Sequence, residues 1–194
     1  MQIIPFPDFV RRFHSGEEFV IFDTETTGLN TFHDDIVEVA GVIWKKGAAL
    51  QKFEELIRVN PNKITQGAWD IHKIPKEEIE KARKVEDVLT DFLSFAGNRS
   101  LVAHNAKFDY DILNSNLVRS GQKPYQNDFT ACTLQYAKEQ MLPGRLHELA
   151  THYKVAFEQS SLHRAMADVE LLNKILDKIM AEHEPSDMQY SLII

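Results

Sequence analysis

The sequence predicts an α/β fold with a mixed sheet flanked by helices, and three observations carry that expectation. Three strand-like apolar runs follow one another through short links between residues 19 and 59, the pattern of an antiparallel meander. Helical periodicity replaces them from residue 64 onward. A further apolar run at residues 101–103 then feeds another helix, and a strand reached through helices implies a crossover and a parallel partner for the first strand.

The elements follow in order. Residues 19–22 (Phe-Val-Ile-Phe) are strand formers stopped by Thr26-Thr27-Gly28, which predicts a central strand ending in a turn. Residues 36–44 give a second strand, Lys45-Lys46-Gly47 a hairpin turn, and residues 49–59 a third strand. Residues 64–71 begin the helical part, and Pro75 opens a short helix over 76–82. Val85, Val88, Leu89, Phe92 and Leu93 recur at helical spacing up to Gly97. After the strand at 101–103, residues 110–119 carry Ile112, Leu113 and Leu117 on one face and stop at Gly121. Residues 129–133 read as a last strand and 146–153 as a short helix. A long helix over 164–181 follows, with Val169, Leu172, Ile175 and Ile179 along a stripe. The composition breaks after Ala181, so residues 1–181 are expected to be one domain and 182–194 an extended tail.

Composition bounds the partners. The 194 residues carry 22 Lys plus Arg against 29 Asp plus Glu, a net charge of −7 that excludes a passive, phosphate-coating nucleic-acid binder. It leaves room for an enzyme that uses carboxylates on nucleic acid. No apolar run reaches the ~20 residues of a membrane helix, and the first residues lack a signal-peptide layout, so a cytoplasmic protein with no membrane partner is expected. The single cysteine, Cys132, rules out an internal disulfide and a Cys-based zinc site.

The chemistry concentrates in acids. Asp23 and Glu25 stand two apart at the end of the first strand, so period-two alternation points both to one side of the sheet. Alone, such a pair reads as two solvated acids. Its position strengthens it, because strand ends around a topological switch are where α/β folds place their sites. Six residues beyond Ala103, Asp109 adds a third acid beside the first two. His163 and Asp168 are five apart and converge only if His163 lies on the loop before the helix that holds Asp168.

Asp23-Thr-Glu-Thr-Thr-Gly28, Val102-Ala-His-Asn-Ala-Lys-Phe-Asp109 and His163-Arg-Ala-Met-Ala-Asp168 resemble the three motifs of the DEDDh exonucleases. That family includes the proofreading (epsilon) subunit of bacterial DNA polymerase III, ribonuclease T and oligoribonuclease. The similarity spans residues 19–179 and implies a ribonuclease-H-like fold. It also implies two divalent cations, Mg²⁺ or Mn²⁺, which suit an all-carboxylate donor set. By the same resemblance, Asp23 bridges both cations, Glu25 and Asp168 hold the nucleophile-side cation, Asp109 supports the other, and His163 takes the proton from the attacking water.

Substrate contacts implied by the motifs fall on Thr26 and Leu29, on His72 within Trp69-Asp-Ile-His72, and on Asn105 and Phe108, the last equally readable as core. Lys73 and Gly67 stand where relatives carry Gly and Glu. His104 is expected to be structural, Asp111 solvated, and Cys132-Thr133 replaces the family's frequent Asp-Thr. In the tail, Gln189, Leu192, Ile193 and Ile194 resemble the bacterial sliding-clamp-binding peptide, with folding back onto the chain as the other possibility. The expected activity is 3′-to-5′ removal of nucleoside monophosphates from single-stranded or frayed DNA ends, alongside a DNA polymerase III supplied in trans. An RNA trimmer of the ribonuclease T or oligoribonuclease type and a non-catalytic end-binding scaffold are the alternatives.

Overall fold

A computed structural model describes residues 2–127 and 129–183. Helix α1 (Phe6–Ser15) comes first; it follows Pro5 and ends at Gly16, whose φ of 89° accepts the left-handed turn that closes the helix. Strand β1 (Phe19–Thr26) pairs antiparallel with β2 (Ile36–Lys45), which pairs antiparallel with β3 (Ala48–Leu56). Helices α2 (Gln66–His72), α3 (Lys76–Lys81) and α4 (Val85–Ala96) lead to β4 (Ser100–Ala103), which lies parallel to β1. Helix α5 (Ala106–Arg119) crosses to β5 (Thr130–Cys132), parallel to β4, and α6 (Thr133–Glu139), α7 (Leu146–His152) and α8 (Ala165–Glu182) complete the order. The sheet runs β3-β2-β1-β4-β5, so the expected meander and parallel pair are both present.

Alternation along β1 splits the core into two layers. Val20 and Phe22 face α4 and α5, where they pack with Phe92, Ile112 and Leu113. Phe19 and Ile21 face the other way, against Phe9 and Phe13 of α1 and Val169 and Leu172 of α8. Trp44 stacks on Phe13 there, with ring centroids 4.4 Å apart. A β1 residue therefore belongs to the α8 layer when odd-numbered and to the α5 layer when even-numbered.

Several expected boundaries shift. The helix expected from residue 110 begins at Ala106, because Asn105 turns the chain through φ 69° directly after β4. The third strand ends at Leu56; beyond it the N–H of Ile57 still donates to Val37 O at 2.7 Å while the residue bridges to Arg83. The last strand stops at Cys132, since Thr133 already opens α6. The sequence reading passed over α1 and α6. Phe9, Val10 and Phe13 of α1 do carry a helical signal, with Pro before and Gly after. Helix α6 spans a single buried pair of turns and offered no comparable pattern.

Candidate active site

Asp23 and Glu25 are odd-numbered and so leave β1 on the side of α8, as the alternation predicted. Asp168 lies in the first turn of α8 and meets them there. One carboxylate oxygen from each of the three lies within 4.8 Å of the others. His163 stands on the loop before the helix, the placement the five-residue spacing required. Its φ of 66° is left-handed, a conformation costing about 1 kcal/mol for a residue other than Gly, and its backbone N–H donates to Asp168 Oδ2 at 3.3 Å. Arg164 follows in extended conformation as the residue before the first helical turn.

Asp109 arrives from the opposite layer, in the first turn of α5. Its Oδ1 accepts from the backbone N–H of Thr24 at 3.1 Å and from Thr24 Oγ1 at 2.8 Å, so an even-numbered residue of β1 holds it against the strand carrying the other acids. Asp109 is not one of the three acids whose oxygens converge, but its charge is felt at Asp23.

The electrostatics describe a site short of positive charge. Burial pushes Asp23 well above the ordinary carboxylate range, and Asp109, Glu25 and Asp168 push it further. Burial, then the charges of Asp168 and Glu38, take Glu25 to about 8. Burial takes Asp109 to about 7 against the opposing hydrogen bonds from Thr24. Asp168 is raised by burial, partly offset by His163. Among the described residues none of these four acids has a salt bridge to Lys or Arg. Buried like charges without a counter-ion are costly, and an oxygen-preferring divalent cation is what relieves them. The residues present therefore fit such a cation.

Beside the acids, a recess of about 260 Å³ is lined by Glu25, Thr26, Leu29, His72 and Phe108. This brings together four of the five predicted contact residues. Leu29 is 84% exposed at its mouth. Phe108 packs against the core and also lines the recess. Asn105 is exposed and outside that lining. His72 is buried; its Nδ1 accepts from the N–H of Ile74 at 3.1 Å, which leaves Nε2 as the protonated nitrogen, and that atom is buried without a partner. Burial also lowers its pKa, favouring the neutral ring. Lys73, next to it, adopts φ 53°, a left-handed position that favours Gly.

Gly28 plays a different part from the simple turn expected of it. Its φ is not positive, but a Cβ there would stand 2.6 Å from Asp34 Oδ2. Asp34 accepts from Thr27 Oγ1 at 3.0 Å and from the N–H of Asn30 at 2.7 Å, so the glycine makes room for the carboxylate that fastens this loop.

His104 is structural: Nε2 donates to Gly144 O at 2.8 Å and Nδ1 lies 3.0 Å from Thr133 Oγ1, tying β4 to the α6–α7 region. Asp111 pairs with Lys107 one helical turn away, at 2.5 Å. Cys132 is half-buried against the core. Gln189, Leu192, Ile193 and Ile194 lie outside the described residues.

The sequence reading missed Thr24, which holds Asp109, and also Glu38 and Arg164. Glu38 of β2 sits opposite Glu25 in register and is 1% exposed. Its carboxylate accepts from Arg164 Nε at 3.2 Å to each oxygen, from the guanidinium NH2 at 2.7 Å, and from the N–H of Ala165 at 2.9 Å. A lone acid inside the apolar run Ile-Val-Glu-Val-Ala was the available signal.

A mixed sheet with clustered acids at the end of its central strand, covered by the first turn of a late helix, places the chain in the ribonuclease-H-like fold class. More narrowly, the chain belongs to the Exonuclease family, whose model matches residues 20–176, and its motifs are of the DEDDh type. It is 36% identical over 166 residues to the PolC-type DNA polymerase III of Oceanobacillus iheyensis, covering 84% of this chain and 11% of that one. The PolC-type polymerase of Halalkalibacterium halodurans is 32% identical, over 89% of this chain and 12% of its own length. The chain thus spans about a tenth of the curated relatives it matches. Among solved structures, E. coli Exonuclease I bound to a dT13 oligonucleotide superposes with TM-score 0.76 at 18% identity, covering 90% of this chain and 43% of that one. Exonuclease X bound to 5′-overhanging duplex DNA superposes with TM-score 0.66 at 27% identity, covering 84% and 92%.

Proposed function

We propose that residues 1–181 form a divalent-metal-dependent 3′-to-5′ exonuclease that releases nucleoside monophosphates from single-stranded or frayed DNA ends. The observation that carries this is the convergence of Asp23, Glu25 and Asp168 within 4.8 Å, beside a recess lined in part by His72, whose Nε2 is buried without a partner. Two divalent cations, Mg²⁺ or Mn²⁺, would be held by Asp23, Glu25 and Asp168, with Asp109 in support. When bound, the cations neutralise the phosphoryl oxygens and lower the pKa of the attacking water.

The chain's own residues do the rest. His163 accepts the water's proton on a ring nitrogen, and its exposure lets it pass that proton to solvent. His72 Nε2–H donates to an oxygen of the terminal nucleotide, which the neutral, buried ring can do without adding charge. Leu29 and Phe108 offer apolar surface to its base, Thr26 closes the recess behind the sugar, and Asn105 contacts the strand beyond it.

End-labelled single-stranded oligonucleotides decide the matter. Stepwise shortening from the 3′ end is expected with Mn²⁺ or Mg²⁺ and none with a chelator, with DNA shortened faster than RNA. Faster loss of RNA would reassign the substrate, and no shortening of either with metal would leave only a binding module.

The PolC-type relatives support a replication or repair setting in the cytoplasm, alongside DNA polymerase III. Among the described residues no helix is long and apolar enough to cross a membrane. Gln189, Leu192, Ile193 and Ile194 are the proposed contact with a sliding clamp, on their sequence pattern alone. Immobilised clamp should retain the full chain but not a chain ending at Pro185; equal retention would overturn that contact.

A further inference from the structure

His163 occupies a strained position with little of its own to keep it there. It is exposed, its backbone is left-handed, and its hydrogen bond among the described residues is the long N–H contact to Asp168. The next two residues, by contrast, are anchored by four hydrogen bonds made to a single buried carboxylate, three from Arg164 and one from Ala165. Arg164 bridges both oxygens of Glu38, and the same carboxylate accepts the first N–H of α8 from Ala165. Glu38 is almost wholly buried while the Arg164 side chain is 40% exposed, so the fixed end of the pair belongs to the sheet and the held end to the His163 segment. Glu38 also lies opposite Glu25 in the β1–β2 register, which ties this anchor to the strand that carries the acids.

We propose that Glu38 and Arg164 are positioning residues. They clamp the residue after His163 to the sheet, fix the left-handed turn against the start of α8, and thereby set where the imidazole stands relative to Asp23, Glu25 and Asp168. The guanidinium fork matters because it engages two oxygens at once and so fixes direction as well as distance; an ammonium group gives a point contact only. The same pairing keeps Glu38 occupied, so that a fourth acid next to Glu25 does not join the cation site. This rests on the reading of His163 as the base, and the test separates the two.

Arg164→Lys, Arg164→Ala and Glu38→Gln are compared, each in the native chain and in a His163→Ala chain, by steady-state exonuclease kinetics with Mn²⁺. In the native background the Arg164 variants should lower kcat about 10- to 100-fold with KM little changed, the scale of a misplaced catalytic group. In the His163→Ala background the same changes should cost less than about twofold, because a group that acts through His163 has nothing left to position. Arg164→Lys covers the case in which Arg164→Ala, by leaving Glu38 buried without a partner, fails to fold. Equal losses in both backgrounds would show a general structural role and overturn the clamp. So would a raised KM at unchanged kcat, which would make Arg164 a substrate contact. His163→Ala with near-native turnover would instead remove the base itself, and the clamp with it.

Discussion

Asp23→Asn is expected to abolish turnover while making the metal-free protein more stable. Loss of a cation ligand removes charge stabilisation of several kcal/mol in the transition state, and each 1.36 kcal/mol is tenfold, so kcat should fall about 10³-fold or more. The stability change has the opposite sign, because Asp23 is pushed up by burial and by four neighbouring acids, and the amide removes a charge the fold disfavours. The pH dependence follows from the same groups. Glu25, raised by burial to about 8, and Asp109, raised by burial to about 7, stay protonated in the folded apo chain at pH values where the unfolded chain has released those protons. The folded state then binds more protons, so the contribution of these groups to apo stability is fully present below about pH 4 and is lost as pH rises from there through 7 to 8. Cation binding reverses this by taking up the deprotonated carboxylates, and its stabilisation grows over the same window. Thermal melts of native and Asp23→Asn chains at pH 5 and pH 8, with chelator and with Mn²⁺, check all of it. The native chain should gain several degrees from Mn²⁺ at pH 8 and little at pH 5, and Asp23→Asn should start higher at pH 8 and gain little from metal. An apo melting temperature that rises from pH 5 to pH 8 would contradict the acid cluster as described.

What the sequence disclosed and what it withheld divide along a physical line. Asp23 and Glu25 were readable because period two along a strand is rigid: knowing that residues 19–22 are a strand settles which way both acids point. The convergence of His163 with Asp168 was readable only as a condition, since whether the chain breaks before the helix depends on contacts made elsewhere. Those contacts are Glu38 and Arg164, 126 residues apart, and no local pattern announces such a pairing. Thr24 is hidden for a similar reason. Its value lies in facing the other layer, where it meets Asp109 across 85 residues of sequence. The role of Gly28 was misjudged on the same ground, because a close approach by Asp34 leaves no trace in the backbone preference of a glycine. Helix α1 was legible and passed over, whereas the shorter α6 depends on Tyr136 and Ala137 finding α7 and α8.

His163→Ala is expected to separate binding from chemistry. The imidazole is not among the three converging carboxylate donors, so the Mn²⁺-induced rise in melting temperature should survive the substitution. Proton removal by a positioned base contributes about 10²- to 10⁴-fold, so kcat should fall by that factor with KM for an oligonucleotide little changed. A second effect comes from Asp168, whose pKa the neighbouring His163 lowers against the upward push of burial. Without the imidazole, Asp168 holds its proton to higher pH, so the metal-induced stabilisation should set in at higher pH than in the native chain. His163→Gln checks whether size alone matters: it fills similar space and can hydrogen-bond, but it cannot accept a proton at neutral pH, so it should be as slow as the alanine variant. Activity of His163→Gln near the native level would mean that the residue orients the water and that the proton leaves by another route. The decisive measurement is the pH–rate profile with saturating Mn²⁺. The native chain should reach a plateau in kcat that neither variant reaches, both variants instead continuing to rise with hydroxide concentration as hydroxide replaces the missing base.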